Sequence, residues 1–243
     1  CYIMNILITG GTGGLGKVTI ELLASDINNK VYFTYCKSDI KAQAITEKYP
    51  NSIAYKCNQT KPEEVDELTE NMANWDLDVL INNAWNGSPE GIRFLKLSQE
   101  AILTEFKDNV LPVVSITQAA ISAFKKKKNG RIITVLSSYV IGVPPLGYGL
   151  YASMKACIAQ FAKTWSKEYI KFGITSNCVS PEFMETDFTA DIDPRVIERM
   201  INDHPLKNLL EPQEVAEVIV SLVHAPKHVN GVNIPVNTGS QIL

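Results

Sequence analysis

A tyrosine and a lysine four residues apart are the side chains of this sequence best suited to proton transfer. Tyr151 and Lys155 precede a run of helix formers with apolar residues at helical spacing, which predicts that both lie on one face in the first turn of a helix. A phenol with a pKa near ~10 releases its proton poorly at neutral pH, and an ammonium one turn away favours the phenolate. A lone pair of this kind is usually a solvated helix face, so the prediction of catalysis depends on further residues.

A serine hydroxyl upstream of this pair could polarise the oxygen that Tyr151 protonates. Ser137 and Ser138 follow an apolar strand predicted over 131–136, and adjacent side chains of a strand point to opposite faces. The loop length to Tyr151 favours Ser138, which lies 13 residues upstream, whereas counting along the strand from Arg131 favours Ser137. We assign Ser138 and keep Ser137 as the alternative.

A glycine-rich turn near the amino end is typical of a phosphate-binding site. An apolar strand over 5–9 leads into Gly10-Gly-Thr-Gly-Gly-Leu-Gly16 and then into an amphipathic helix. Glycines at such a turn let the backbone approach a pyrophosphate, whose charge lies at the helix N-terminus. The spacing fits the Gly-x-Gly-x-x-Gly fingerprint when counted from Gly11, although not from Gly10. A merely permissive loop is the alternative, and the position between strand and helix favours the phosphate site.

The end of the second predicted strand indicates which nucleotide cofactor this turn would hold. An acidic residue there would bind the ribose hydroxyls of NAD. The turn instead reads Tyr35-Cys36-Lys37-Ser38, with no carboxylate before Asp39. Lys37 can meet a 2′-phosphate as a point charge, although it could also be a solvated turn lysine. We therefore expect NADPH as the preferred cofactor, with NADH as the alternative.

Strands and helices alternate along the chain as they do in α/β proteins. The alternation predicts a Rossmann-type, doubly wound parallel sheet of about seven strands with helices on both faces, in a single domain over 4–243. A long helix is predicted from about residue 99 to 124, and the segment 183–210 shows no clean period. Because that segment is long for a connection, we predict a substrate lid, with Phe183, Phe188, Ile192 and Met200 covering an apolar chain. The alternative is a cluster packed permanently on the core.

Composition and charge exclude several functional classes. The 243 residues carry a net charge of -3, which argues against nucleic acid or an anionic membrane as partner, and no run of eighteen apolar residues occurs. The five cysteines have neither metal-type nor redox-type spacing and predict free thiols in a reducing cytoplasm. The three histidines lie far apart, so no metal site is expected. Residues 1–3 precede Met4 and are set aside.

Taken together, the motifs resemble the short-chain dehydrogenase/reductase family. They are Thr9-Gly-x-x-x-Gly-x-Gly16, Asn82-Asn-Ala84, Asn109, Ser138 and Tyr151-x-x-x-Lys155, in the order and at the spacings of that family. Within the family the sequence is most similar to the 3-oxoacyl-carrier-protein reductases. The resemblance implies an oxidoreductase that reduces a ketone with NADPH, a small-molecule or acyl-carrier-bound 3-oxoacyl thioester being favoured, and that assembles as a homotetramer through the helices containing Asn109 and Tyr151.

The resemblance also implies a role for each residue of the site. Tyr151 would donate the proton, Ser138 would stabilise the substrate oxygen by roughly 3 kcal/mol, and Lys155 would lower the Tyr151 pKa while holding the nicotinamide ribose. Asn109 would hold a water that connects Lys155 to solvent. The implied cofactor-binding residues are Gly10, Thr12, Gly13, Gly14, Gly16, Lys37, Asn58, Gln59, Asn83, Ala84, Tyr151, Lys155, Met184 and Thr186.

Three departures from the family pattern leave the substrate open. Trp85 replaces the glycine after Asn-Asn-Ala, Glu182 replaces the glycine after Pro181, and the last strand runs into Gly239 without a paired glycine. Trp85 is interpreted equally well as a packing residue or as a substrate contact. The alternatives to 3-oxoacyl reduction are reduction of a sugar, polyol or polyketide-type ketone, and a non-catalytic cofactor-binding role, against which the complete catalytic set argues.

Overall fold

The computed structural model describes residues 3–89, 91–186 and 193–241, and within these ranges seven parallel strands form one sheet flanked by helices. The strands are β1 (Met4–Ile8), β2 (Asn29–Tyr35), β3 (Ser52–Lys56), β4 (Val79–Asn82), β5 (Gly130–Val135), β6 (Ile174–Pro181) and β7 (Asn233–Val236). The helices are α1 (Gly14–Ala24), α2 (Asp39–Lys48), α3 (Pro62–Met72), α4 (Gln99–Glu105), α5 (Leu111–Lys127), α6 (Gly149–Tyr169), α7 (Pro194–Asp203) and α8 (Pro212–His224). The predicted doubly wound α/β fold is confirmed.

The strands are apolar on both sides because helices cover both faces of the sheet. In β1, Leu7 packs in the layer that contains α3, α5 and α6, whereas Ile6 and Ile8 pack in the layer that contains α1, α2 and α8. Successive side chains of a strand alternate between faces, so one apolar run serves two cores. Among the described residues, no helix combines the length and apolar composition needed to cross a membrane.

The strand order fixes where a ligand can bind. The sheet order is β3-β2-β1-β4-β5-β6-β7. The chain adds β2 and β3 on one side of β1 and then β4 to β7 on the other side, so the topological switch point lies between β1 and β4. In open α/β sheets, ligands bind outside the carboxyl ends of the strands at such a switch point. The glycine turn after β1 and Asn83 after β4 lie at this point, and Ser137 follows the neighbouring β5.

The predicted long helix is instead two α-helices joined by a π-helical turn. The turn spans Phe106–Val110 and contains Asn109, which is buried. Such turns insert an extra residue into a helix and occur often at functional sites. The helix also continues past residue 124 to Lys127, since lysines form helices well and are stabilised at a helix C-terminus. Lys128 then adopts a left-handed φ of 54° and ends it.

The segment predicted as a lid contains a helix, α7, that the sequence analysis did not predict. In α7, Asp193 caps the N-terminus by accepting the Arg195 N–H at 2.9 Å. Its apolar residues Val196, Ile197, Met200 and Ile201 recur at helical spacing, so the sequence carries the pattern of an amphipathic helix here, although none of these side chains is fully buried. Phe188 and Ile192 lie outside the described residues. A lid over 183–210 therefore stays a prediction.

Candidate active site

A cleft of about 1060 Å³ opens at the carboxyl edge of the sheet. Its walls come from the turns that follow β1, β2, β3, β4, β5 and β6, together with the start of α6. Residues predicted for the site from distant parts of the sequence are thereby brought together. All of them line the cleft except Asn109 and Ser138.

The glycine turn is shaped by contacts that a side chain would block. Gly10 has a left-handed φ of 72°, and a Cβ built at Gly16 would overlap the Gly10 carbonyl oxygen. Helix α1 therefore starts directly against the turn, at Gly14, and its first turn carries no acidic residue. The unpaired N–H groups of a helix N-terminus favour an anion such as a pyrophosphate.

Asn83 holds this turn in place. Its side-chain amide donates to the carbonyl oxygens of Thr9 at 2.9 Å and Gly10 at 3.2 Å. The backbone N–H groups of Asn83 and Ala84 both donate to the Thr9 hydroxyl oxygen at 3.0 Å. The Asn83 side chain, predicted from the resemblance to flank the cofactor ribose, thus joins the ends of β1 and β4 beneath the cleft.

The far end of the cleft offers an unused hydrogen-bond donor. The side-chain nitrogen of Gln59 is buried without a partner among the described residues. Leaving a buried donor unpaired costs on the order of 1–3 kcal/mol, so a ligand that accepts this hydrogen bond would be favoured. Asn58 beside it is committed elsewhere, since its side-chain oxygen accepts from Thr60 and its N–H donates to Glu64. With the glycine turn, these residues fit a dinucleotide cofactor.

The structure places Ser137 rather than Ser138 in the cleft. Burial raises the pKa of the Tyr151 phenol, and the Ser137 hydroxyl, which donates toward its oxygen, opposes that rise. Ser138 does not line the cleft. Ser137 remains extended, with φ -159° and ψ 151°, and Ser138 begins a 3-10 turn that carries its side chain away. The geometry therefore favours the alternative Ser137 over Ser138, with a loop before Tyr151 that is one residue longer than the count from Ser138 assumed, and which serine acts stays a prediction.

The side chains of Tyr151 and Lys155 both reach the cleft from the first turns of α6, as predicted. Burial raises the pKa of Tyr151, and burial also lowers the pKa of Lys155 to about 7. The Lys155 ammonium donates to the Val135 carbonyl oxygen at 2.9 Å and lies 5.9 Å from the centroid of the Tyr151 ring. The Lys155 ammonium is thus bonded to a backbone carbonyl rather than to the phenol oxygen, and the lowering of the Tyr151 pKa by Lys155 stays a prediction.

Three aromatic side chains line the cleft beside the phenol, and of these the sequence analysis had considered only Trp85. The ring of Trp85 meets that of Tyr151 edge to face, with centroids 5.0 Å apart. Tyr139 contacts Tyr151 at 6.1 Å and Tyr148 at 5.9 Å, also edge to face. The wall beside the reacting position is therefore aromatic.

Asn109 supports the cleft from behind. Its side-chain oxygen accepts the Asn86 N–H at 2.7 Å, and its amide donates to Glu105 at 3.1 Å. Burial raises the pKa of Glu105, while Asn109 and the indole N–H of Trp85 donate to its carboxylate and lower it. Asn109 thus holds the segment after β4, which differs from its predicted role of binding a water.

The opposite wall is closed by residues after β6. Met184 and Thr186 line the cleft as predicted, and a Cβ at Gly14 would lie 2.9 Å from the Thr186 methyl carbon. The Glu182 carboxylate accepts from His204 Nε2 at 3.0 Å, an orientation fixed because His204 Nδ1 accepts the Leu206 N–H at 3.2 Å. Glu182 thereby ties the end of α7 to the sheet. Within the described ranges, no group of three or more His, Cys, Asp or Glu side chains could hold a metal.

Comparisons with known proteins agree with this geometry. A family model described as enoyl-(acyl carrier protein) reductase matches residues 12–241. The chain is 32% identical over 227 residues to a 3-oxoacyl-[acyl-carrier-protein] reductase of Synechocystis sp., which covers 90% of this chain and 89% of that protein. It is 29% identical to a sorbose reductase of Candida albicans, over 96% of this chain and 85% of that protein.

A solved structure extends the likeness to three dimensions. A short chain dehydrogenase from Burkholderia cenocepacia, solved in complex with NADP, superposes with a TM-score of 0.83 at 27% identity and covers 98% of each chain. The match spans the whole sheet and its helices, so the architecture around the cleft is shared from end to end.

Proposed function

Because the chain belongs to the short-chain dehydrogenase/reductase family of nicotinamide-dependent oxidoreductases, we propose that it reduces a ketone with NADPH, with a 3-oxoacyl thioester as the favoured substrate. The observation that carries the proposal is the convergence of Ser137, Tyr151 and Lys155 at one end of a cleft whose other end is the glycine turn. A protein that only binds the cofactor would need none of these three side chains.

The chemistry divides between the cofactor and the chain. When bound, the cofactor supplies the hydride, and the glycine turn, Gln59 and Lys37 would hold its phosphates and adenosine part. Ser137 donates a hydrogen bond to the substrate carbonyl oxygen and stabilises the negative charge that grows there. Tyr151 transfers its proton to that same oxygen, and Lys155 compensates the phenolate that remains. The half-buried aromatic wall of Trp85, Tyr139 and Tyr148 would limit the access of water to the transfer.

The choice of NADPH rests on the side chains at the end of β2. Lys37 and Ser38 line the cleft, and Asp39 does not. The Asp39 carboxylate accepts from Lys56 at 2.9 Å and from the Tyr35 hydroxyl at 3.1 Å, so it is engaged away from a ribose. A 2′-phosphate would therefore meet a cation and a hydroxyl. The preference is expected to be roughly 1–3 kcal/mol, the size of a charge-assisted hydrogen bond.

The substrate class rests on the relatives and has one alternative with structural support. Relatives named as 3-oxoacyl-carrier-protein reductases favour an acyl thioester. The aromatic wall of Trp85, Tyr139 and Tyr148 favours a planar, polyketide-type cyclic ketone, because flat rings stack on aromatic side chains. The similarity to a sorbose reductase makes a sugar the third candidate substrate.

A substrate panel read by the absorbance of reduced cofactor tests the proposal. It contains an acetoacetyl thioester, free and on an acyl carrier protein, a fused-ring ketone and sorbose, each with NADPH and with NADH. We expect the highest kcat/KM with a thioester and NADPH, and Lys37→Ala should raise the KM for NADPH while leaving that for NADH nearly unchanged. Equal loss with both cofactors would contradict the NADPH assignment, and no turnover of any ketone would favour a non-catalytic protein.

A further inference from the structure

The indole of Trp85 contacts both members of the catalytic pair. Its face lies under the Lys155 ammonium, with the nitrogen 4.2 Å from the ring centroid. Its ring meets Tyr151 edge to face, at 5.0 Å and an interplanar angle of 77°. Few side chains offer a face to a cation and an edge to a phenol at once, and a glycine at this position would offer neither.

Lys155 depends on this contact because it has few other partners. Its side chain is only 4% exposed, and the one hydrogen bond that its ammonium makes to a described residue is to the Val135 carbonyl oxygen. A desolvated ammonium over an indole face is stabilised by about 2 kcal/mol, more than over a phenyl ring. The indole therefore stabilises the charged form of Lys155, which burial destabilises.

Trp85 is itself fixed from two sides. The indole N–H is directed toward the Glu105 carboxylate, and that carboxylate accepts from Asn109 at 3.1 Å. The next residue along the chain, Asn86, is held through its backbone N–H and carbonyl by the Asn109 side chain at 2.7 and 3.3 Å. The contacts thus run without a break from the π-helical turn to the catalytic pair.

We propose that Trp85 is a positioning residue for the catalytic pair: its indole holds the Lys155 ammonium on its face and packs edge to face against the Tyr151 ring. This inference rests on the roles proposed for Tyr151 and Lys155. In this chain the residue after Asn-Asn-Ala thereby supplies an aromatic support for the lysine, so that Lys155 is oriented by an indole as well as by the Val135 carbonyl.

The fluorescence of Trp85 tests the lysine contact without any turnover. Trp75→Phe and Trp165→Phe remove the other two tryptophans, which stack on Tyr32 and Phe161 and do not line the cleft. Burial lowers the pKa of Lys155 to about 7, so the remaining emission should change in a step near that pH as the amine over the indole gains or loses its proton. If the double variant does not fold, the difference spectrum between the native protein and Trp85→Phe at each pH gives the same signal.

Two matched variants assign the step. Lys155→Met should abolish it, whereas Glu105→Gln should keep it, since Gln still accepts the indole N–H. Glu105, which faces the indole, also has its pKa raised by burial, and Glu105→Gln removes it as a source of the step. Tyr151 itself, Tyr139 and Cys178 also have pKa values that burial raises, so they titrate at higher pH. A step that survives Lys155→Met, or no step at all in a folded protein, would overturn the proposal.

Kinetics test the consequence for Tyr151. Trp85→Gly should lower kcat about tenfold with little change in the KM for cofactor. Trp85→Phe keeps an aromatic ring but makes a weaker cation contact, so its kcat should lie between those of the native protein and Trp85→Gly. An unchanged kcat in a folded Trp85→Gly variant would contradict the positioning role. Because the fluorescence step needs no substrate, failure of this inference and failure of the proposed reaction remain distinguishable.

Discussion

The charge that develops on the substrate oxygen would be met by a single hydroxyl of the chain before the proton arrives. Ser137 has the position for this, since it lines the cleft and donates toward Tyr151. The adjacent Ser138 is buried at the start of a 3-10 turn. Two neighbouring residues of the same type thus have different environments, which makes them a matched pair for mutation.

Ser137→Ala should reduce turnover on the order of a hundredfold, the usual cost of removing one oxyanion donor. Ser138→Ala should change turnover by only a few-fold. Steady-state kinetics of both variants at a saturating level of cofactor gives the comparison. A loss confined to Ser138→Ala would restore the assignment made from loop length and contradict the one made from the geometry.

Lys155→Met should abolish activity and yet stabilise the protein measured without added cofactor. The pKa of Lys155 falls from 10.5 in a solvated chain to about 7 in the folded protein. At neutral pH the unfolded state therefore binds more protons than the folded state, and burying this lysine lowers the free energy of unfolding. The penalty is largest at and below pH 7 and vanishes as the pH rises to the unfolded pKa. We expect a gain of about 1–3 kcal/mol at pH 7, reduced by the lost cation contact, which shrinks toward pH 10. Urea unfolding at several pH values measures it, and a gain that grew with pH would contradict this account.

At the scale of elements, the glycine turn and α1 are joined by contacts that leave no room for a methyl group at one position. Gly16→Ala should destabilise the protein by about 1–3 kcal/mol, since its Cβ would overlap the Gly10 carbonyl and outweigh the better helix propensity of alanine. Gly13→Ala is the control, because its Cβ would lie 3.5 Å from that oxygen and its φ of -75° suits any residue. Equal effects of both variants on the free energy of unfolding would argue against the close approach.

Several elements of the site could not have been predicted from the sequence. Apolar runs and turn residues give the strands, the glycine turn and the helix that carries Tyr151 and Lys155, because those signals are local. The π-helical turn that buries Asn109 depends on its packing against Asn86, and the orientation of Ser137 depends on where the strand ends within one residue. The position of the Trp85 ring, in the segment after β4, depends on Glu105 at the end of α4. Contacts of this kind join residues distant in the sequence, so they produce no local pattern from which they could be predicted.

For the whole molecule, the family resemblance predicts a homotetramer built on the helices α4 to α6. Leu103 and Leu111 of these helices are 68% and 45% exposed, which suits an interface. Leu103→Asp should therefore shift the protein to smaller species in light scattering, whereas Leu95→Asp, at a site 97% exposed outside these helices, should not. A native monomer, or an unchanged assembly of the Leu103 variant, would contradict the prediction.

The central claim is that Tyr151 donates a proton to a ketone as hydride arrives from NADPH, and Tyr151→Phe tests it most directly. The substitution removes one oxygen and keeps the ring that packs against Trp85 and Tyr139, so cofactor binding should survive. The measurement is the rate of NADPH oxidation with the best ketone of the panel, beside NADPH affinity from a binding titration. We predict that turnover falls by about a hundredfold or more while affinity stays near that of the native protein. Near-native turnover of Tyr151→Phe at neutral pH would contradict the account.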